Sequence, residues 1–221
     1  MSHYVTDLDS ERKPRKVPDR DLDASEIRVL GSLAEKQMAT PEYYPLTLNA
    51  LVAACNQKSN REPVMELSES DVQDALDRLQ SEKLVWKVVG GRAVRWDHNL
   101  DANLQLDRPA KAILTLLFLR GAQTPGELRG RSDRLSGFES IGEVEETLQR
   151  MAPLVREIAR RSGQKESRWM HTLSGAPTTS PAAAEVGGAS TEPLATRVER
   201  LEEQVAALTD ELRAFKAKLG E

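Results

Sequence analysis

Nucleophilic catalysis needs a cysteine or serine with a base held beside it, and this chain offers few candidates. Its histidines are His3, His98 and His171, and its one cysteine is Cys55. His98 and His171 occupy matching places in two similar strings, RWDHNL at residues 95–100 and RWMHTL at residues 168–173. Packing or strand-end hydrogen bonding explains a repeated histidine more simply than catalysis does. Cys55 falls on the apolar side of a helical pattern, the usual place of a buried, inert thiol. A metal centre needs at least three ligands, yet neither HxxxH nor CxxC spacing occurs. GxGxxG and a phosphate-loop GKS or GKT are also missing. No cofactor is expected, and an enzyme is the least favoured reading.

Binding chemistry is better represented. Residues 56–61, NQKSNR, are six polar residues directly after an apolar-rich helical stretch. Asn, Gln, Lys and Arg are the side chains that read phosphates or base edges, and they suit polar protein contacts equally well. Asn56, Gln57, Lys58, Asn60 and Arg61, with Tyr43 and Tyr44 nearby in sequence, form the candidate partner-binding set. The competing reading is ordinary loop chemistry, with Asn56 ending a helix and Asn60 making a turn. A second set is basic: Arg129, Arg131, Arg156, Arg160, Arg161 and Lys165. These could hold a DNA backbone, although a solvated surface with acidic neighbours is the commoner case.

The elements carrying these residues repeat. SESDVQDALDRL at residues 68–79 matches SIGEVEETLQRM at 140–151, and the tryptophan strings follow at nearly the same offset. A weaker match joins TLNAL at 47–51 to TPGEL at 124–128. Two copies of one unit of about 70 residues are therefore expected. In copy one, Ile27, Leu30, Ala34 and Met38 mark a first helix with Ser25 as its N-cap. Leu48, Leu51, Val52 and Cys55 mark a second helix. Val72, Ala75, Leu76 and Leu79 mark a third behind a Ser68–Asp71 capping box. LVWKVV and RAVRWD around Gly90-Gly91 predict a hairpin with a two-residue turn. Copy two repeats the order, with Ala110, Ile113, Leu114 and Leu117 in its first helix, then helices capped by Thr124 and Ser140, then strands flanking RSGQKES. Three helices followed by a hairpin is the winged-helix arrangement. Its third helix commonly enters the DNA major groove. Here that helix is acidic, with Glu69, Asp71, Asp74, Asp77 and Glu82 against Arg78 and Lys83, and phosphates repel it.

TPEYYPLTLNALVAACNQKSNREPVM at residues 40–65, with EIRVLGSLAEKQ before it and the SESDVQDALDRL helix after, resembles the YceH-like family of uncharacterised bacterial proteins. The resemblance covers about residues 24–173 and implies two tandem winged-helix domains. It implies no activity.

The remaining chain is of other kinds. Residues 1–23 hold six acidic and five basic side chains and few apolar ones, which predicts a disordered arm. Residues 174–193 are mostly Ala, Gly, Pro, Ser and Thr, a flexible linker. From 194 to 221, Leu194, Leu201, Leu208 and Phe215 alternate with Val198, Val205, Leu212 and Leu219 at heptad spacing, which predicts a parallel coiled coil and a homodimer. The expected fold is mainly α with small β-hairpins: winged-helix domains at 24–106 and 107–173, then linker and coiled coil. The N-terminus lacks the apolar core of a secretory signal, and no apolar run reaches bilayer length, so a cytoplasmic location and no membrane partner are expected. The net charge of −4 excludes a uniformly basic nucleic-acid coat. The favoured function is a non-enzymatic binding protein that contacts an unknown protein partner. A DNA-binding regulator gripping the backbone weakly through domain two is the alternative.

Overall fold

The computed structural model describes residues 15–91, 93–159 and 166–175. The linker beyond Gly175, the heptad segment, most of the arm, and Arg160, Arg161 and Lys165 lie outside the described residues. The observed fold is mainly α with two small antiparallel sheets.

Copy one begins with α1 (Ala24–Ala39). Its N-cap is Asp23 rather than Ser25. The Asp23 carboxylate accepts from the Glu26 amide, and the Glu26 carboxylate accepts in return from the Asp23 amide. This reciprocal pairing satisfies two orphan donors, so the helix starts two residues earlier than expected. A short 3-10 turn, Pro41–Tyr43, leads to β1 (Leu46–Thr47) and α2 (Leu48–Cys55), which Thr47 caps. Next comes α3 (Glu69–Ser81) behind the Ser68–Asp71 capping box. The hairpin is β2 (Val85–Val88) and β3 (Arg95–His98), with the sheet ordered β1-β3-β2. Its turn is not the expected two-residue Gly-Gly type. Val88 pairs with Arg95, so the ladder stops short of the glycines. Neither Gly90 nor Gly91 adopts the positive φ that a tight hairpin turn needs. A short helix absent from the sequence reading, α4 (Leu100–Leu104), closes copy one with Leu100 and Leu104 buried.

Copy two follows with α5 (Arg108–Arg120), α6 (Pro125–Arg131) and α7 (Ile141–Arg150), capped by Asp107, Thr124 and Ser140. Strands β4 (Val155–Ile158) and β5 (Arg168–His171) form its hairpin. The registers of the two hairpins correspond. Val85 opposes His98 as Val155 opposes His171, and Lys87 opposes Trp96 as Glu157 opposes Trp169. The tryptophans are equivalent in place but not in burial. Trp96 is 2% exposed, whereas Trp169 packs half-buried against the core.

One apolar core runs through both copies, from Leu30, Leu51 and Leu76 to Ile113, Leu117 and Leu148. Helix α1 lies against α2, α3 and α5 at once, which is why Glu26 to Ala34 are buried without a break. Gly31 permits the close approach to α5. A Cβ there would stand 2.9 Å from Phe118 Cβ and 2.9 Å from Leu119 Cδ2.

The end of the expected arm lies on this core. Leu22 is buried, and its amide donates to the Leu173 carbonyl at 2.8 Å. Arg15 donates to the carbonyls of Arg150, Met151 and Ala152 at the end of α7. The Met151 carbonyl also accepts from the Leu154 amide at 2.9 Å, and the Arg15 cation adds donors at this helix end and offsets the negative end of the helix dipole.

Candidate functional site

The segment at 56–63 is built inward. The Asn56 amide donates from Nδ2 to the Leu67 carbonyl at 2.7 Å, and its Oδ1 accepts from the Leu67 amide at 2.8 Å. Arg61 is 5% exposed. Its guanidinium donates to the Ala54 and Asn60 carbonyls and pairs with Glu35 at 2.7 Å. Burial opposes the ionised form of Glu35, but the Arg61 hydrogen bond and the charges of Arg61 and Lys36 outweigh it and hold the carboxyl below its ordinary range. Arg28 reaches the same segment from α1, donating to the Cys55 carbonyl at 3.1 Å and the Pro63 carbonyl at 2.6 Å. Burial, followed by the nearby Arg61 charge, pushes the Arg28 pKa down. The segment also ties the copies together: the Glu62 amide donates to the Leu119 carbonyl, and Arg120 donates to Asn60 Oδ1.

The partner-binding set is therefore split by the structure. Asn56 and Arg61 spend their polar atoms inside the protein, and Gln57 Oε1 accepts from Lys36 and Arg61. Tyr44 donates from its hydroxyl to Asp97 at 2.6 Å and meets His98 edge-on. Burial and the Asp97 carboxylate push the Tyr44 phenol well above its usual range. Tyr43, Lys58 and Asn60 remain exposed.

The basic set is also partly engaged. Arg129 donates to the Glu139 carbonyl, and Arg131 donates to Gln123 Oε1 at 2.6 Å. Arg156 is exposed on β4. On α3, Asp74 and Asp77 are exposed while Arg78 turns to Asp23 at 2.7 Å. On α7, Glu145 and Glu146 are exposed while Arg150 pairs with Asp107 at 3.1 Å. Each third helix thus presents carboxylates outward and spends its arginine on a neighbour. A cleft of about 320 Å³ between α6, α7 and the second hairpin carries the same sign, lined by Glu145, Glu157 and Glu166 with Ile141.

The groups considered for reaction chemistry are buried singly. His98 and His171 are 3% and 8% exposed, and desolvation pushes both imidazoles down to about 4. Burial pushes the Cys55 thiol up, which disfavours the reactive thiolate. Among the described residues, no group of three or more His, Cys, Asp or Glu is placed to hold a metal ion. No described helix is long and apolar enough to cross a membrane.

Sequence reasoning missed the first hairpin as a surface. Trp86 is 39% exposed, Val94 49% and Val89 82%. The available signal was LVWKVV, an apolar run with one lysine where an edge strand usually carries charge.

These features define a small helical module with two hairpins, acidic third helices and an exposed apolar strand. A family described as a protein of unknown function, DUF480, matches residues 22–164, and the chain belongs to that family.

Proposed function

We propose that the protein is a non-enzymatic binding module. In this reading each copy is a winged helix, as the YceH-like resemblance implies, and the heptads at 194–221 pair two chains into a dimer. Its partner is a protein, contacted through the exposed surfaces of the helices and hairpins. The carrying observation is the outward acidity of both third helices. Asp74, Asp77, Glu145 and Glu146 are exposed where a major-groove reader would carry cations.

The regulator alternative draws on Arg156, Arg160, Arg161 and Lys165. Titration of full-length protein into fluorescent mixed-sequence duplex DNA separates the readings. DNA binding should be weak and fall steeply with salt, by a slope of about −0.9 per phosphate contacted. Exchanging Arg160 and Arg161 for Glu abolishes it. Tight retention of one defined sequence at physiological salt, insensitive to those exchanges, would overturn the proposal.

A further inference from the structure

The cleft between α6, α7 and the second hairpin is built from residues that the fold itself does not require. Pro125 at the start of α6, Ile141 and Glu145 on α7, and Glu157 and Glu166 of the hairpin surround a space of about 320 Å³. Ile141 and Glu145 stand one turn apart, on one side of α7. Helix caps and ladders align this surface with the first copy. Counted from the caps Ser140 and Ser68, Ile141 corresponds to Glu69 and Glu145 to Gln73. In the ladders Glu157 corresponds to Lys87, each opposite its tryptophan. The same fold therefore accepts Glu, Gln and Lys at these three places.

Two observations distinguish the cleft from an ordinary solvated surface. The first is Ile141, which opens α7 and is 48% exposed. The positive end of the helix dipole favours a carboxylate in a first turn, as Glu69 supplies in α3. An isoleucine gains nothing from that field and leaves apolar surface in water. The second is the state of the carboxylates. The arginines of the flanking elements are engaged elsewhere: Arg131 and Arg168 pair with Glu127, Arg129 donates to the Glu139 carbonyl, and Arg150 pairs with Asp107. Arg156 precedes Glu157 on β4, and strand alternation sends it to the opposite face. Among the described residues no hydrogen bond or ion pair reaches Glu145, Glu157 or Glu166.

The spacing of these carboxylates decides what fits. Among the described residues no three acidic, His or Cys side chains converge where one metal ion could sit. The charges suit cations held at separate positions along a chain, as lysine and arginine side chains are. Phosphates are repelled by the same charges.

We propose that this cleft docks a segment of a partner protein in which an apolar residue is flanked by Lys or Arg. The apolar side chain covers Ile141, and the flanking cations meet Glu145, Glu157 and Glu166. This deepens the protein-binding reading and rests on it.

The test is selection of displayed random peptides on the full-length protein, followed by titration of the synthesised winners. The expected peptides hold an apolar residue between basic ones. They slow amide hydrogen exchange at residues 141–146 and 155–158, and their affinity falls with salt. Glu157→Lys copies the first hairpin and weakens them by about tenfold or more, because it sets like charges against each other. Ile141→Ser weakens them by about fivefold through lost apolar contact, at unchanged salt dependence. A selection that enriches no peptide, or only acidic or uncharged ones, would overturn the proposal. So would peptides that bind both variants as well as the parent protein, or whose apolar residue can be exchanged for Ser without loss. Basic peptides that are enriched only after Arg12 and Lys13, or Arg160 and Arg161, are exchanged for Glu would make the occupant a segment of this chain. Loss of the dimer in Glu157→Lys would make it a second copy. Either result refutes the partner segment. A protein captured from extract and retained equally by the parent and by Glu157→Lys would refute this cleft while leaving the broader reading intact.

Discussion

Gly31→Ala adds one methyl group where α1 and α5 come closest. In an open helix interior the exchange stabilises by about 1 kcal/mol. Here the new Cβ would meet Phe118 Cβ at 2.9 Å, Leu119 Cδ2 at 2.9 Å and Leu119 Cγ at 3.0 Å. Leu119 can shift its side chain only into packed surroundings, since it is 1% exposed. Phe118 Cβ is bonded directly to its backbone, so relieving that contact moves α5 itself. Overpacking of this kind costs about 1–3 kcal/mol, of which the helical gain offsets about 1 kcal/mol. The net expectation is a loss of up to about 2 kcal/mol. Gly130→Ala in α6 is the control, because nothing lies within 4 Å of its Cβ position. Urea unfolding followed by tryptophan fluorescence should place the two midpoints on opposite sides of the parent protein at unchanged slope. If Gly31→Ala gains as much stability as Gly130→Ala, the two copies do not pack through this contact.

Four further outcomes follow from the same structure. Trp96→Ala should cost about 3–5 kcal/mol, and Trp169→Ala clearly less because it is only half-buried; equal losses in urea unfolding would contradict the difference in burial. His171 is held near 4 against an ordinary 6.5, so the unfolded chain binds more protons between those values. Its contribution is therefore complete above pH 6.5 and is lost as pH falls towards 4, by about 3 kcal/mol; unfolding measured across that window in His171→Phe should show a shallower fall than in the parent. Arg61→Ala leaves Glu35 buried without its main partner and should cost about 3–5 kcal/mol, whereas Lys58→Ala on the exposed side should leave the urea midpoint unchanged. Ending the chain after Ser174 should lower the oligomeric state seen by light scattering; a truncated protein that remains a dimer would show that the tail is not the dimer contact.

Local signals made most of the secondary structure legible. Thr47, Ser68, Thr124 and Ser140 each precede a helical apolar pattern, and each caps its helix. Asp23 was missed because its cap depends on Glu26 reaching back, and a serine one residue before Glu26 fits the same pattern. The paired registers of Trp96 and Trp169 were legible because the strings repeat. The hairpin turn was not, since Gly-Gly states what a backbone can do rather than where the ladder ends. The candidate site was harder. Arg61 reads as a polar loop residue, and only the fold places Glu35 beneath it. A charged residue inside a buried helix, Arg28, was the one sequence hint that the 56–63 segment is fastened from within. Trp86 had no local marker either, because its exposure depends on which sheet edge the chain leaves open.

Affinity capture from native extract separates a protein partner from nucleic acid in one step. Full-length protein is immobilised, and the extract is divided into portions with and without nuclease. The same proteins should be retained in both portions, at defined stoichiometry and at physiological salt, where phosphate contacts are weakened. If everything retained disappears on nuclease treatment, nucleic acid bridges the interaction and the protein-binding account is contradicted.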